Sequence, residues 1–102
     1  RKLFVIGDMG ELGADAPAMH AQIGEYARAQ GVTTLYALGE LSAQTVQAFG
    51  AGARHFDSIE ELIAQIRSEL SSDMTMLVKG SRFMRMERVV QACAADVAEE
   101  TH

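Results

Sequence analysis

Cys93 is the only cysteine in the 102-residue sequence, which excludes an internal disulfide, provides no metal-ligand cluster and fits a reducing cytoplasm. Cationic clusters are missing too. The 9 Lys and Arg are scattered among 14 Asp and Glu, for a formal net charge of −5, so there is no basic track for nucleic acid or anionic lipid. A small molecule or another protein is the partner class that remains. The longest apolar runs, such as "LFVI" and "LYAL", fall far short of the roughly 20 residues of a membrane span, and no signal peptide is expected. A nucleophile elbow, a zinc set and a Walker loop GxxxxGK[ST] are also absent. The chain is therefore not expected to bind and turn over ATP by itself.

What is present fits one domain, large enough for a single core with a net stability of roughly 5–15 kcal/mol. It need not be a whole protein. Four short apolar runs, "LFVIG" (3–7), "TLYALG" (34–39), "ARHF" (53–56) and "MTMLVKG" (74–80), are bounded by turn residues and read as strands. Helical periodicity lies between them: Met19, Ile23, Tyr26 and Ala27 share one face, and Ile59, Leu62, Ile63, Ile66 and Leu70 recur at spacings of three and four. Asp15 or Ala16 can cap the first helix, with Pro17 near its first position and Gly31 where a C′ residue would end it. Ser58 followed by Glu61 fits a capping box. A last helix is expected over residues 83–98, burying Met86, Val90, Cys93 and Val97. Alternating strands and helices, with near-continuous apolar character in the first, second and fourth strands, predict a parallel, doubly wound α/β sheet with helices on both faces.

In such sheets ligands sit beyond the carboxyl ends of the strands. Gly7, Gly39 and Gly80 each close an apolar strand, so "GDMGELG", "GELS", "DS" (57–58) and "KGSR" should gather along one rim. The first of these is Gly-x-x-Gly-x-x-Gly rather than the Gly-x-Gly-x-x-Gly of a dinucleotide loop. Asp8 and Glu11 also stand where phosphate charge would lie, and like charges about 4 Å apart repel by roughly 4 kcal/mol at an effective dielectric near 20. These glycines are not a phosphate cradle on their own; the plain alternative is a long turn needing positive φ. Lys79, one of two lysines, follows the apolar run "MLV", where an unpaired ammonium would cost several kcal/mol. It is expected to pair with Asp8 or Glu11 across neighbouring strand ends. With Ser81, Arg82 and the free amides of the next helix it would also make a site for a carboxylate or phosphate.

Other residues have plainer readings. His20 is expected to be a partly buried polar residue, Met74, Met76, Met84 and Met86 to pack the core, and Cys93 to be a small core residue. Arg85 and Arg88 are expected to form a solvated helix face.

Several blocks together, "VIGDMGELG", the helical His20 with "IG" at 23–24, "LGELS" and "MLVKGSRFMRMERVV", strongly resemble the C-terminal domain of MurF-type Mur ligases. The resemblance runs over essentially the whole chain in order, and "GDM-x-ELG" with "KGSR-x-M-x-ME" is specific as a pair. It implies a Rossmann-like fold and membership of a three-domain cytoplasmic enzyme: an N-terminal domain for the UDP-sugar peptide, a central ATPase domain carrying the phosphate loop, and this mobile C-terminal domain. The implied reaction uses ATP and Mg2+ to phosphorylate the terminal carboxylate of UDP-MurNAc-tripeptide; the amine of D-Ala-D-Ala then attacks the acyl phosphate. By the same resemblance Asp8, Glu11, Ser42, Lys79, Gly80, Ser81 and Arg82 would face the interdomain cleft as substrate-binding residues, without a catalytic or metal-binding role.

The sequence departs from the family domain at its start. MurF-like chains carry another strand and helix before the "GDM" strand, opened by an Asp-x-Tyr-Asn-Ala-Asn-Pro segment, whereas this sequence begins at "RKLFVIGD". A trimmed piece, inactive alone and with an unpaired sheet edge prone to association, is the expectation. A receiver domain of bacterial signalling is the rival reading: Asp8, Asp57 and Lys79 mimic its acidic cluster, phosphoacceptor and lysine, although Gly80 stands where receivers usually carry proline. A bare nucleotide-binding module is a third possibility.

Overall fold

A computed structural model describes residues 2–8, 15–69, 74–80, 86, 88–89 and 97–101. The first strand, β1 (Lys2–Gly7), leads to helix α1 (Ala16–Ala29). Strand β2 (Thr34–Leu38), helix α2 (Ser42–Phe49), strand β3 (Ala53–Phe56), helix α3 (Ile59–Glu69), strand β4 (Thr75–Gly80) and strand β5 (Val97–Thr101) follow. The strands form one sheet in the order β3-β2-β1-β4-β5, and every pairing is parallel. The chain thus starts in the middle of the sheet, winds outward to β3, then crosses back to the other side of β1. That reversal is the topological switch of a Rossmann-like fold.

Because side chains alternate across a strand, β1 feeds two cores. Leu3 and Val5 join Tyr36, Leu38, Met76 and Val78 on the face covered by Leu62 and Ile66 of α3 and by Met86 and Val89. Phe4 and Ile6 join Leu35 and Ala37 on the face covered by Ala27 of α1 and Phe49 of α2. The expected burial of both sheet faces is met, and Met74, Met76 and Met86 are buried as core residues. On α3 the predicted stripe packs inward, with Leu62 and Ile66 fully buried and Ile59 and Ile63 partly so; Leu70 lies outside the described residues. The Ser58 hydroxyl accepts the Glu61 amide at 3.1 Å, which is the serine half of the capping box.

Two elements need correction. The inner face of α1 follows the Met19, Ile23, Tyr26 and Ala27 stripe only in part: Ala27 is buried and Ile23 packs half-buried against the core, but the other buried residues are Ala16, His20 and Gly24, while Met19 is 40% and Tyr26 66% exposed along an open groove. The cause is close approach of α2. A Cβ on Gly24 would collide with the Thr45 carbonyl, and the Thr45 hydroxyl donates to the His20 carbonyl at 2.7 Å. Small residues permit that contact, and Met19 and Tyr26 are left exposed. His20 is accordingly fully buried, not partly, with its Nδ1 at 2.6 Å from the Ala16 carbonyl.

Strand β5 is the second correction. The last helix was expected to run to residue 98, yet Val97 and Ala98 belong to β5, registered with Met76 and Leu77. Pairing with the outer edge of β4 outweighs the helix propensity of "VAEE". Val90 and Cys93 lie outside the described residues. Helix α2 gives no periodic apolar signal in the sequence because its buried residues are Ser42, Thr45 and Phe49; polar groups satisfied within the fold occupy its inner face.

Candidate functional site at the carboxyl rim of the sheet

Parallel pairing puts the ends of all five strands on one edge. At the switch, β1 and β4 lie side by side with Ile6 registered against Lys79. The approach is close at the end of the pair: a Cβ on Gly80 would stand 3.4 Å from Gly7 Cα and 2.7 Å from the Met86 side chain. Lys79 alternates with the inward-facing Val78, and so lies on the same sheet face as Phe4 and Leu77, beside α1. The lysine and the first acidic residue of the β1 turn therefore emerge from adjacent strands, as the sequence analysis expected. Glu11, Ser81 and Arg82 lie outside the described residues.

Asp8 follows β1 directly and is 8% exposed. Its carboxylate reaches across to the start of α2: Oδ1 accepts the Ser42 amide and the Ser42 hydroxyl, both at 2.8 Å, and Oδ2 accepts the Leu41 amide at 3.1 Å. Donors at a helix start, which carry no intrahelical partner, are thereby satisfied by an acid from a different strand. This brings together two of the predicted site residues, Asp8 and Ser42. It also means that the start of α2 already holds a carboxylate of this chain.

Gly39 makes the arrangement possible. Its φ is +110°, and a Cβ there would lie 2.5 Å from the Asp8 carboxyl carbon. From the opposite side, His55 of β3 brings Nε2 to 2.7 Å from the Gly39 carbonyl. A carbonyl only accepts, so Nε2 carries the proton. His55 Nδ1 faces Asp57 Oδ1 at 3.9 Å, with the Asp57 side chain 95% exposed. His55 carries no motif in the sequence. Its only signal was a histidine at the end of a strand next to the rim.

Asp57 and Lys79, the pair needed for a receiver, are far apart. Asp57 directly follows β3 and Lys79 lies in β4, with β2 and β1 between those strands, and three strand spacings of about 4.8 Å put the strands roughly 14 Å apart. Among the described residues, no group of three His, Cys, Asp or Glu is placed to hold a metal, and no helix is long and apolar enough to cross a membrane.

Comparison with known proteins decides the family. The model for the "Mur ligase, glutamate ligase domain" matches residues 1–82. The chain belongs to the Mur ligase family. Among curated relatives, the UDP-N-acetylmuramoyl-tripeptide–D-alanyl-D-alanine ligase of Escherichia coli K12 is 40% identical over 93 residues, covering 89% of this chain and 20% of the relative. The ligase of the same name from the Buchnera aphidicola symbiont of Acyrthosiphon pisum is 33% identical over 92 residues, covering 88% of this chain and 20% of that protein. A crystal structure of MurF from Acinetobacter baumannii superposes with a TM-score of 0.75 at 26% identity, covering 90% of this chain and 22% of that one. MurF from Thermotoga maritima, solved in complex with ADP, shares the fold with a TM-score of 0.76 at 22% identity, covering 91% and 21% of the two chains. This Mur ligase chain thus spans about a fifth of the length of the relatives it matches.

Proposed function

We propose that this Mur ligase chain is the C-terminal of three domains in a cytoplasmic, ATP-dependent enzyme that joins D-Ala-D-Ala to UDP-MurNAc-tripeptide during peptidoglycan precursor synthesis. The observation that carries the reading is the rim at the topological switch, where Lys79 leaves β4 beside the end of β1. Similarity to relatives named for that reaction supplies the substrates. ATP and Mg2+ belong with the central ATPase domain of the same protein, and this chain alone is inactive.

In the proposed sequence the tripeptide carboxylate attacks the γ-phosphorus of ATP, breaking its bond to ADP and giving an acyl phosphate. The D-Ala-D-Ala amine then attacks the acyl carbon; phosphate leaves with the bonding electron pair, and the nitrogen loses a proton. The task of this domain is to hold the amine against the acyl phosphate, and making that attack effectively intramolecular lowers the barrier by up to roughly 7–11 kcal/mol. Lys79, with Gly80, Ser81 and Arg82 on the same strand exit, suits the dipeptide carboxylate or the nucleotide phosphates. Glu11 suits the ammonium end or pairing with Lys79. Asp8 and Ser42 shape the same surface through their mutual hydrogen bonds. The test is phosphate release by the full-length enzyme: it should require ATP, tripeptide and D-Ala-D-Ala together. Equal turnover with glutamate in place of the dipeptide would reject the substrate assignment.

A further inference from the structure

We propose that His55 is a positioning residue for the rim. The turn at residues 39–42 is gripped from two sides by groups that come from two other strands. On the β1 side, Asp8 accepts the amides of Leu41 and Ser42 and the Ser42 hydroxyl. On the β3 side, the His55 ring donates Nε2–H to the Gly39 carbonyl at 2.7 Å. Gly39 lies between these anchors with its α-carbon against the Asp8 carboxyl group and no room for a side chain. A shift of the Gly39 peptide therefore displaces Asp8, the residue that leads out of β1 next to the strand carrying Lys79. His55 is an exposed residue, its side chain 32% accessible, so water competes with this hydrogen bond. The contact to Asp57, at 3.9 Å, is too long for a hydrogen bond.

The role rests on the reading of the rim as the dipeptide-positioning surface, and the two can be separated by experiment. In the full-length enzyme His55→Phe keeps a flat ring without the donor, and His55→Gln keeps an N–H close to the place of Nε2. His55→Phe should raise KM for D-Ala-D-Ala about fivefold, the loss of one ordinary hydrogen bond, with KM for ATP and tripeptide unchanged. His55→Gln should restore most of the loss. Selective 15N labelling of histidine should show His55 as the Nε2–H tautomer. Equal impairment of the two variants, wild-type KM in His55→Phe, or an Nδ1–H tautomer would each overturn the role. If Lys79→Ala is impaired while His55→Phe is not, only the positioning role fails; if Lys79→Ala also behaves as wild type, the rim reading itself fails.

Discussion

The Asp8 carboxylate and the Ser42 amide, 34 positions apart in sequence, meet at 2.8 Å inside the protein. An acid that the sequence offers as a ligand contact is thus, in the fold, the cap of a neighbouring helix. Asp8→Ala removes the acceptor of three hydrogen bonds, those from the Leu41 and Ser42 amides and the Ser42 hydroxyl. It should destabilise the chain by about 2–3 kcal/mol, and Asp8→Asn by less, because one acceptor oxygen is kept. Urea unfolding of the two variants gives the comparison.

Gly39 and Asp8 should be energetically coupled. Gly39→Ala imposes a strained positive φ, about 1–3 kcal/mol, and drives the new methyl into the carboxylate. In an Asp8→Ala background the collision disappears and the strain stays. The double variant should therefore be more stable than the sum of the singles by at least about 0.5 kcal/mol. Additive free energies in a double-mutant cycle would show that the two residues do not meet.

Gly24→Ala sets helix propensity against packing. The substitution should favour an isolated helix by about 1 kcal/mol, yet the methyl meets the Thr45 carbonyl of α2, and overpacking costs about 1–3 kcal/mol. The expected outcome is a lower melting temperature; a higher one would mean that α1 and α2 stand further apart than described.

The two faces of α1 should also differ in the way the fold requires. Met19→Ser and Tyr26→Ser, at side chains facing the groove, should change unfolding free energy by no more than about 0.5 kcal/mol. Ile66→Ala, at a residue with no exposure, should cost about 2–5 kcal/mol. Thermal unfolding of the three variants measures both.

Four strands were legible because each is a short apolar run closed by a turn residue, and the bounds of β3 coincide with "ARHF". The start of α3 was legible because Ser58 caps locally. Strand β5 and helix α2 were not. Val97 continues a helical spacing from Met86, Val90 and Cys93, and only pairing with β4 decides its state. The inner face of α2 is built from Ser42 and Thr45, whose burial depends on Asp8 and on the His20 carbonyl, partners distant in sequence. The face of α1 was misjudged for a related reason: hydrophobicity identifies what prefers burial, whereas the contact between helices is limited by size. At the site, the gathering of Asp8, Ser42 and Lys79 on one edge followed from parallel winding. The capping role of Asp8 and the grip of His55 on Gly39 did not, since neither follows from local spacing.

Of the two ligands proposed for the exit of β4, the dipeptide carboxylate and the nucleotide phosphates, the first makes that exit the place where the amine substrate is held. That placement is tested most directly in the full-length enzyme by the steady-state kinetics of Lys79→Ala with D-Ala-D-Ala as the varied substrate. The account predicts kcat/KM for the dipeptide down by at least about tenfold, the loss of a charge-assisted contact, with the fold of the domain retained. Wild-type affinity and rate in that variant would contradict it.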